Sequence, residues 1–349
     1  MRFEPRPSPS AWVSISAPLL AIAVALALAG ILIAISGAPV LQAYGQIVLG
    51  ALGSKLAVTE TLTRATPLIL TGLAAAVAFR ARVYNIGAEG QLYLGALAVV
   101  AISQPVLGNL SPLLHVPVLL AAGAVAGMAL LLLPLWLRLR FAVDEVVTTL
   151  LLNFVAILFV SMMIDGAMKD PLAFGWPQSI PVAEAGQLPV LIARSGVTLG
   201  LPIALVLALI LHAVQQHTVF GLQSRAMGFN PKAATFAGVP ALRTMMLVGC
   251  ISGGLAGLAG AVEVMGSKGY VTTELSPGYG YSGIVVAMLA NLNPLGVVGA
   301  ALFTAVIFVG ADAMSRSLGV PSFIADVTVA LSLLGILVAA FFTRYRICK

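Results

Sequence analysis

Residues 113–137 read LLHVPVLLAAGAVAGMALLLLPLWL, 25 positions without an Asp, Glu, Lys or Arg. As a helix rising 1.5 Å per residue, the run is ~37 Å long, more than the ~30 Å hydrocarbon core of a bilayer. Arg138 and Arg140 follow at once. A crossing helix ends in this way, because basic side chains are costly in hydrocarbon and favourable among headgroups. The rest of the chain is built alike: of 349 residues, 60% are apolar and 9% charged, with a mean hydropathy of +1.07. Soluble domains carry about 25% charge. A soluble enzyme is therefore excluded, and so is a disordered chain, which needs charge and few apolar residues. Long unbroken runs also exclude a membrane barrel, whose strands alternate over ~10 residues. At about 20 residues per crossing, the composition allows up to about ten helices.

Outward from that run, apolar segments fall at 17–35, 67–79, 91–103, 113–137, 145–164, 199–214, 245–265, 282–292, 297–314 and 323–343. The second can begin near Leu56 if Glu60 and Arg64 are taken into the helix. Arg2 and Arg6 precede the first, which contains Ala27-Leu28-Ala29 and resembles a cleavable signal. A cleaved signal has an apolar region of about 7–15 residues; this one has 19, so it is read as a retained crossing. Charge orients the bundle. With the N-terminus inside, Lys55, Arg64, Lys169, Arg194, Lys268 and Arg316 lie outside, and the other 12 of the 18 basic residues lie inside. Basic residues collect on the cytoplasmic side. The expectation is an all-α polytopic membrane protein of about ten transmembrane helices, with both termini cytoplasmic. It is one membrane domain over residues 1–349, with an outer loop at 165–198 and an inner loop at 215–244. The outer loop, with Trp176 and Pro171, Pro177, Pro181 and Pro189, reads as an interfacial segment. The net charge of +6 belongs to short inner loops, and no nucleic-acid partner is expected.

The chain lacks what catalysis would need. It has no Gly-Lys pair, hence no P-loop for ATP, and no HExxH. His212 and His217 do not share a helix face, His115 stands alone, and Cys250 and Cys348 have no metal or redox spacing. No catalytic residue, metal ligand or bound cofactor is expected. The acids within segments, Glu263, Asp312 and Asp326, all lie near outer ends. Their position counts against a proton- or sodium-coupled transporter, which keeps carboxylates near the midplane. Asn153 lies ~12 Å into the fifth segment, after Thr148 and Thr149. It either bonds a neighbouring helix or faces a solute path. Gly249, Gly253 and Gly257 make a close-packing stripe.

Two regions are broken. Residues 84–91 read YNIGAEGQ, and residues 276–283 read SPGYGYSG, followed by a short apolar run to Asn291-Leu292-Asn293-Pro294. The run 282–292 covers only ~16 Å. Short segments interrupted by Gly and Pro at matching places in two halves mark a transport path. If ten crossings split five and five, segments two and three correspond to seven and eight, and the odd number makes the halves inverted. Asn85, Glu89, Asn291 and Asn293 are then either path residues or caps and turn residues. In the 215–244 loop, Leu222–Met227 forms a short turn stopped by Gly228. Asn230 caps a second helix that starts at Pro231, Gly238 ends it, and Pro240 prevents continuation. With only Arg225 and Lys232 charged between Val219 and Pro240, this is a small apolar surface suited to a partner's groove.

At these residues the chain resembles a known family. Gly221, Arg225-Ala226, Gly228, Asn230, Ala233-Ala234 and Gly238 are spaced as in the cytoplasmic coupling loop of ABC-importer permeases. The string NIGAEGQ at 85–91 is similar to the hallmark of the branched-chain amino acid/simple-sugar permease superfamily, in its nucleoside (BMP-type) branch. DEVVTTLLLN at 144–153 and GIVVAMLA at 283–290 are similar to that branch as well. The resemblance covers residues 60–345. It implies one of two membrane subunits of an ATP-driven importer in a bacterial inner membrane, paired with a related permease. A cytosolic ATPase, holding ATP and Mg, would dock on Gly221, Arg225, Gly228, Asn230, Pro231, Ala233, Ala234 and Gly238. A carboxylate at Ala234 is then expected to uncouple it. An extracytoplasmic binding protein would deliver solute to a path near Asn85, Glu89, Asn153, Asn291 and Asn293. Sugar permeases of the superfamily carry an acidic-Leu-Ser-Val-Gly string at the first of these places. Its absence favours nucleosides over ribose-like sugars. The competing readings are a simple-sugar ABC permease and an ion-coupled secondary transporter.

Overall fold

The computed structural model describes residues 2–5, 27–104, 111–321, 345–348 and scattered positions between 323 and 338. Its helices are α1 (Ala27–Ile35), α2 (Val40–Leu52), α3 (Lys55–Arg80), α4 (Ala88–Ser103), α5 (Pro112–Phe141) and α6 (Glu145–Asp165). They continue with α7 (Gly200–His217), α8 (Val219–Phe229), α9 (Pro231–Phe236), α10 (Ala241–Glu263), α11 (Tyr279–Leu289) and α12 (Pro294–Leu318). A π-helical turn, Val264–Lys268, extends α10. The chain ends pair as short antiparallel strands, β1 (Arg2–Pro5) against β2 (Tyr345–Cys348).

Among the described residues, six helices are long and apolar enough to cross a membrane: α3, α5, α6, α7, α10 with its π-turn, and α12. The pair α1 and α2, bent by 112°, makes a seventh if counted as one span. The expected segments 113–137, 145–164, 199–214, 245–265 and 297–314 fall on full-length helices. Segment 67–79 is only the second half of α3, which begins at Lys55 and takes in Glu60 and Arg64. The charges sit in its first turns, where long side chains can reach the interface, so they do not end the helix. Segments 91–103 and 282–292 fall on α4 and α11, of 16 and 11 residues. These span ~24 Å and ~16 Å, short of a crossing. Helix α2 was not expected, because Gln42, Tyr44 and Gln46 interrupt its apolar run. Residues 17–26 of the first segment and most of the tenth lie outside the described residues.

Two compact units are formed, residues 1–61 with 302–349 and residues 62–301. In the first, Gly50 lies against Ala313, Gly310 against Ile47, and Thr61 Oγ1 donates to the Ala51 carbonyl at 3.0 Å. In the second, α10 packs against α4 and α5 at backbone distance. A Cβ on Gly95 would overlap the Gly257 backbone, and one on Gly127 the Gly253 carbonyl. The Gly249, Gly253 and Gly257 stripe thus faces α5 at Leu135, Gly127 and Gly123. Small residues allow this approach, and dispersion between close backbones holds the helices where lipid supplies no hydrophobic drive. The turn from α5 to α6 is pinned by Arg138 and Glu145 at 2.7 Å, with Ala142 at φ 55° and Asp144 capping the Val146 N–H at 2.8 Å.

The 165–198 loop is ordered by backbone bonds. Ser179, Val182 and Leu188 N–H groups donate to the carbonyls of Val271, Gly269 and Met265 at 2.8–2.9 Å. Ser103 Oγ accepts from Ala183 N at 3.0 Å. The loop is therefore tied to the end of α10 and to the C-terminus of α4.

Candidate functional site

Helix α4 begins where the NIGAEGQ string makes its own cap. Asn85 Oδ1 accepts from the Gly87 N–H at 3.0 Å and from Gln91 Nε2 at 2.9 Å. Its Nδ2 donates to Gln91 Oε1 at 2.9 Å and to Ser252 Oγ at 3.0 Å. That uses the full capacity of an amide side chain. Ser252 in turn donates to the Ala74 carbonyl at 2.8 Å, so one residue ties α4 to α10 and α3. Helix α11 begins on the same pattern. Ser276 Oγ accepts from Gly278 N at 3.2 Å and Tyr279 N at 2.8 Å, and Gly278 has φ 87°, a conformation that glycine adopts without cost.

These two helix starts meet. Gly280 N donates to Glu89 Oε2 at 2.6 Å, and a Cβ on Gly280 would collide with the Glu89 backbone. Tyr93 Oη donates to the Thr273 carbonyl at 2.8 Å and accepts from Ser276 N at 3.3 Å. The first turn of α11 thus rests on the first turn of α4 at Gly280 and Glu89, and the turn that leads into α11 lies along α4 at Tyr93. Each N-terminus carries partial positive charge and unpaired N–H groups. The carboxyl of Glu89, 3% exposed, sits between them, which offsets the cost of burying an acid. Thr71 of α3 closes the junction by donating to the Tyr279 carbonyl at 2.9 Å.

The structure brings together Asn85, Glu89 and Asn153. Asn153 Oδ1 accepts from Gly90 N at 2.7 Å, and its Nδ2 donates to the Ile86 carbonyl at 2.7 Å and Tyr281 Oη at 3.3 Å. Of its two readings, the bond to a neighbouring element is the one seen. Asn291 and Asn293 are elsewhere. They are exposed at the far end of α11, ~15 Å along the helix from Gly280. Asn291 lies at φ 55°, and Asn293 Oδ1 accepts from Leu295 N at 3.1 Å to cap α12. Residues not singled out from sequence complete the junction: Thr71, Tyr93, Ser252 and Tyr281. Tyr93 lies two residues after the first broken string, and Tyr281 lies within the second. Thr71 and Ser252 carry no local signal, since their partners lie 208 and 167 residues away.

The 215–244 loop folds as two helices, with one correction. Gly228 does not stop the first: α8 runs through it to Phe229. Its missing side chain serves close approach, because a Cβ there would overlap the Arg80 carbonyl. Asn230, extended at φ −153°, ends α8 and caps α9, with Oδ1 accepting from Lys232 N at 3.1 Å and Ala233 N at 3.2 Å. Gly238 at φ 87° terminates α9, as its N–H and that of Val239 return to the carbonyls of Thr235 and Ala234. Arg80 Nη1 bonds Gln215 Oε1, and Gly221 lies on the Gln215 carbonyl. Gly221 and Gly228 are buried, Arg225 is half-buried, and Asn230, Pro231, Ala233 and Gly238 are exposed. Ala234, however, is 5% exposed and packed within the chain, whereas Phe229 is 80% and Phe236 97% exposed. The loop presents aromatic rings, not the Ala234 face.

A test follows from that exposure. Phe236→Asp should reduce co-purification of a partner ATPase by at least about tenfold, or ~1.4 kcal/mol, while the chain still folds, since aromatic rings are enriched among the residues that carry interface energy. Ala234→Asp would disturb α9 itself and is the weaker probe. Unchanged co-purification with Phe236→Asp would remove this surface from consideration.

Among the described residues, no group of three or more His, Cys, Asp or Glu could hold a metal ion. Residues 57–342 match the family model described as a branched-chain amino acid transport system permease component. The chain is 35% identical to the glucose ABC transporter permease TsgB13 of Haloferax volcanii, over 99% of this chain and 93% of that one. It is 34% identical to the guanosine ABC transporter permease NupP of Bacillus subtilis, over 91% of each. It is 32% identical to the nucleoside ABC transporter permease NupB of Lactococcus lactis subsp. cremoris, over 90% of this chain and 88% of that one. A multi-pass helical protein that carries this family's match along nearly its whole length has a transport role: the chain belongs to the ABC permease family of branched-chain amino acid transport system permease components.

Proposed function

We propose that this chain is one membrane subunit of an ATP-driven importer in a bacterial inner membrane, and that its solute is a nucleoside. The observation that carries the transport reading is the junction of α4 and α11. Two short helices meet at their first turns among full-length ones, which is the arrangement that lets a path open without breaking a crossing helix. The drive would come from a separate ATPase, with its own ATP and Mg, seated on α8 and α9. A second, related permease and an extracytoplasmic binding protein would complete the assembly. The whole of residues 1–349 would act as one permease domain, with both termini cytoplasmic. The pairing of β1 with β2, which holds the two chain ends together, is in keeping with that placement.

Two relatives, NupP and NupB, are named for guanosine and nucleosides, and the junction is lined by neutral amides and hydroxyls around one acid. Among the described residues, none of the hydrogen bonds of the Asn85, Glu89, Tyr93 and Asn153 side chains is made with a Lys or Arg, an environment that favours a neutral solute over a phosphate. The second reading, a simple sugar, is favoured by the glucose permease relative. Competition for labelled inosine uptake in whole cells separates them. Unlabelled nucleosides should compete, while ribose, glucose and nucleotides should not. Competition by glucose or ribose without competition by nucleosides would establish the sugar reading instead.

A further inference from the structure

Trp176, Gln178, Tyr270, Thr272, Thr273 and Glu274 line a cleft of about 400 Å³ between the 165–198 loop and the turn that leads into α11. Small-molecule sites commonly occupy about 300–1,000 Å³. The walls are fixed by backbone pairing. Ser179 N donates to the Val271 carbonyl and Val271 N to Ser179 Oγ, both at 2.9 Å, and Gln178 and Thr272 form an antiparallel bridge. Gln178 is further held by its Nε2, which donates to Asp170 Oδ2 at 3.1 Å. Into this frame the Trp176 ring projects 75% exposed, with Tyr270 37% exposed beside the cleft. An aromatic at a membrane interface commonly anchors in lipid. Here the ring instead shares its cleft with two threonines, an amide and a carboxylate, which lipid tails would leave unpaired.

From this geometry we infer that the cleft is a solute-reception site for a nucleoside, with the base stacked on Trp176 and the sugar hydroxyls bonded to Glu274 and Thr273. The inference deepens the nucleoside reading and rests on it. A flat heterocycle matches an indole face, and neutral hydroxyls can donate to a carboxylate. A phosphate would meet Glu274 and no basic residue. The cleft also has a route inward. Glu274 lies two positions before Ser276, the cap of α11, and the Thr273 carbonyl accepts from Tyr93 of α4. A molecule held by Thr273 and Glu274 therefore touches the segment that sets the junction of the two short helices.

The test uses the assembled importer in lipid nanodiscs, without binding protein, titrated with inosine while tryptophan emission is followed. Wild type should show a saturable quench that is lost in Trp176→Leu. Glu274→Gln should raise half-saturation about fivefold, on the scale of one lost hydrogen bond. Phe174→Ser, which alters a 99% exposed ring outside the cleft, should behave as wild type. Ribose and inosine monophosphate should give no quench. In uptake, Trp176→Leu should raise KM about tenfold with kcat unchanged, as expected for a lost base-stacking contact. No saturable quench in wild type, or the same quench in Trp176→Leu, overturns the site. So does a quench that appears only when binding protein is present, which would make the cleft a protein-docking surface. The two readings fail separately. Nucleoside uptake without a Trp176-dependent quench retains the transported solute and rejects the site. A Trp176-dependent quench without nucleoside uptake retains the site and rejects the solute.

Discussion

Asn153→Leu should lower ATP-driven uptake by at least about tenfold and reduce the thermal stability of the purified chain, because it strips three side-chain bonds from the junction with little change in volume. Leucine removes the acceptor for Gly90 N–H and the donor to the Ile86 carbonyl and Tyr281. Each buried backbone group left unpaired costs about 1–3 kcal/mol. Asn153→Asp retains the acceptor and loses the donor, and should fall between wild type and leucine. The measurement is labelled-solute uptake beside a detergent melting curve. Uptake and Tm equal to wild type in the leucine variant would mean that the cap of α4 does not depend on α6.

The second large effect is expected at Gly260→Leu. A Cβ at Gly260 would already overlap the Leu92 carbonyl and approach Ala96 N at 3.0 Å, so α10 and α4 must part along their shared face. Overpacking a fitted core costs about 1–3 kcal/mol, and more where backbone must move. Here both sides of the contact are backbone, so we expect a stability loss of at least about 3 kcal/mol and little folded protein by size-exclusion chromatography. Gly299→Ala is the contrast. Nothing lies within 4 Å of a Cβ there, and alanine inside a helix should stabilise by about 0.5–1 kcal/mol. Equal yields of the two variants would show that the Gly-rich face is not a close contact.

The crossing helices were legible because an apolar run with basic ends has few other uses in a chain of this composition. Asn85 was legible as a cap or turn residue, since Asn-x-Gly leaves the backbone few alternatives, whereas the role of Ser276 at the start of α11 was not foreseen. What could not be read is where a run stops being a crossing. Residues 91–103 are as apolar as their neighbours, whereas the ~16 Å of 282–292 was short already in sequence; that the two short helices meet, through Glu89 and Gly280, could be read from neither run. Pairings such as Asn85 with Ser252 link positions 167 residues apart, which no local pattern encodes. Gly228 misled for a related reason. A glycine that ends a helix and one that lets a neighbouring carbonyl approach look the same in sequence. Ala234 did so as well, because small residues serve equally in a docking face and in a packed one.

Counted from their polar first residues, the two caps align Asn85 with Ser276, Gly87 with Gly278, and Glu89 with Gly280. The bond from Gly280 to Glu89 therefore joins like positions of the two strings. At so close a contact there is room for one side chain, not two. Two glutamates would press like charges together in a low dielectric, and two glycines would leave a hole and an unpaired N–H. Likeness between the two caps must fail at this point, with an acid on one side and hydrogen on the other. The spot where the caps correspond most closely in space is thus the one where their residues have to differ.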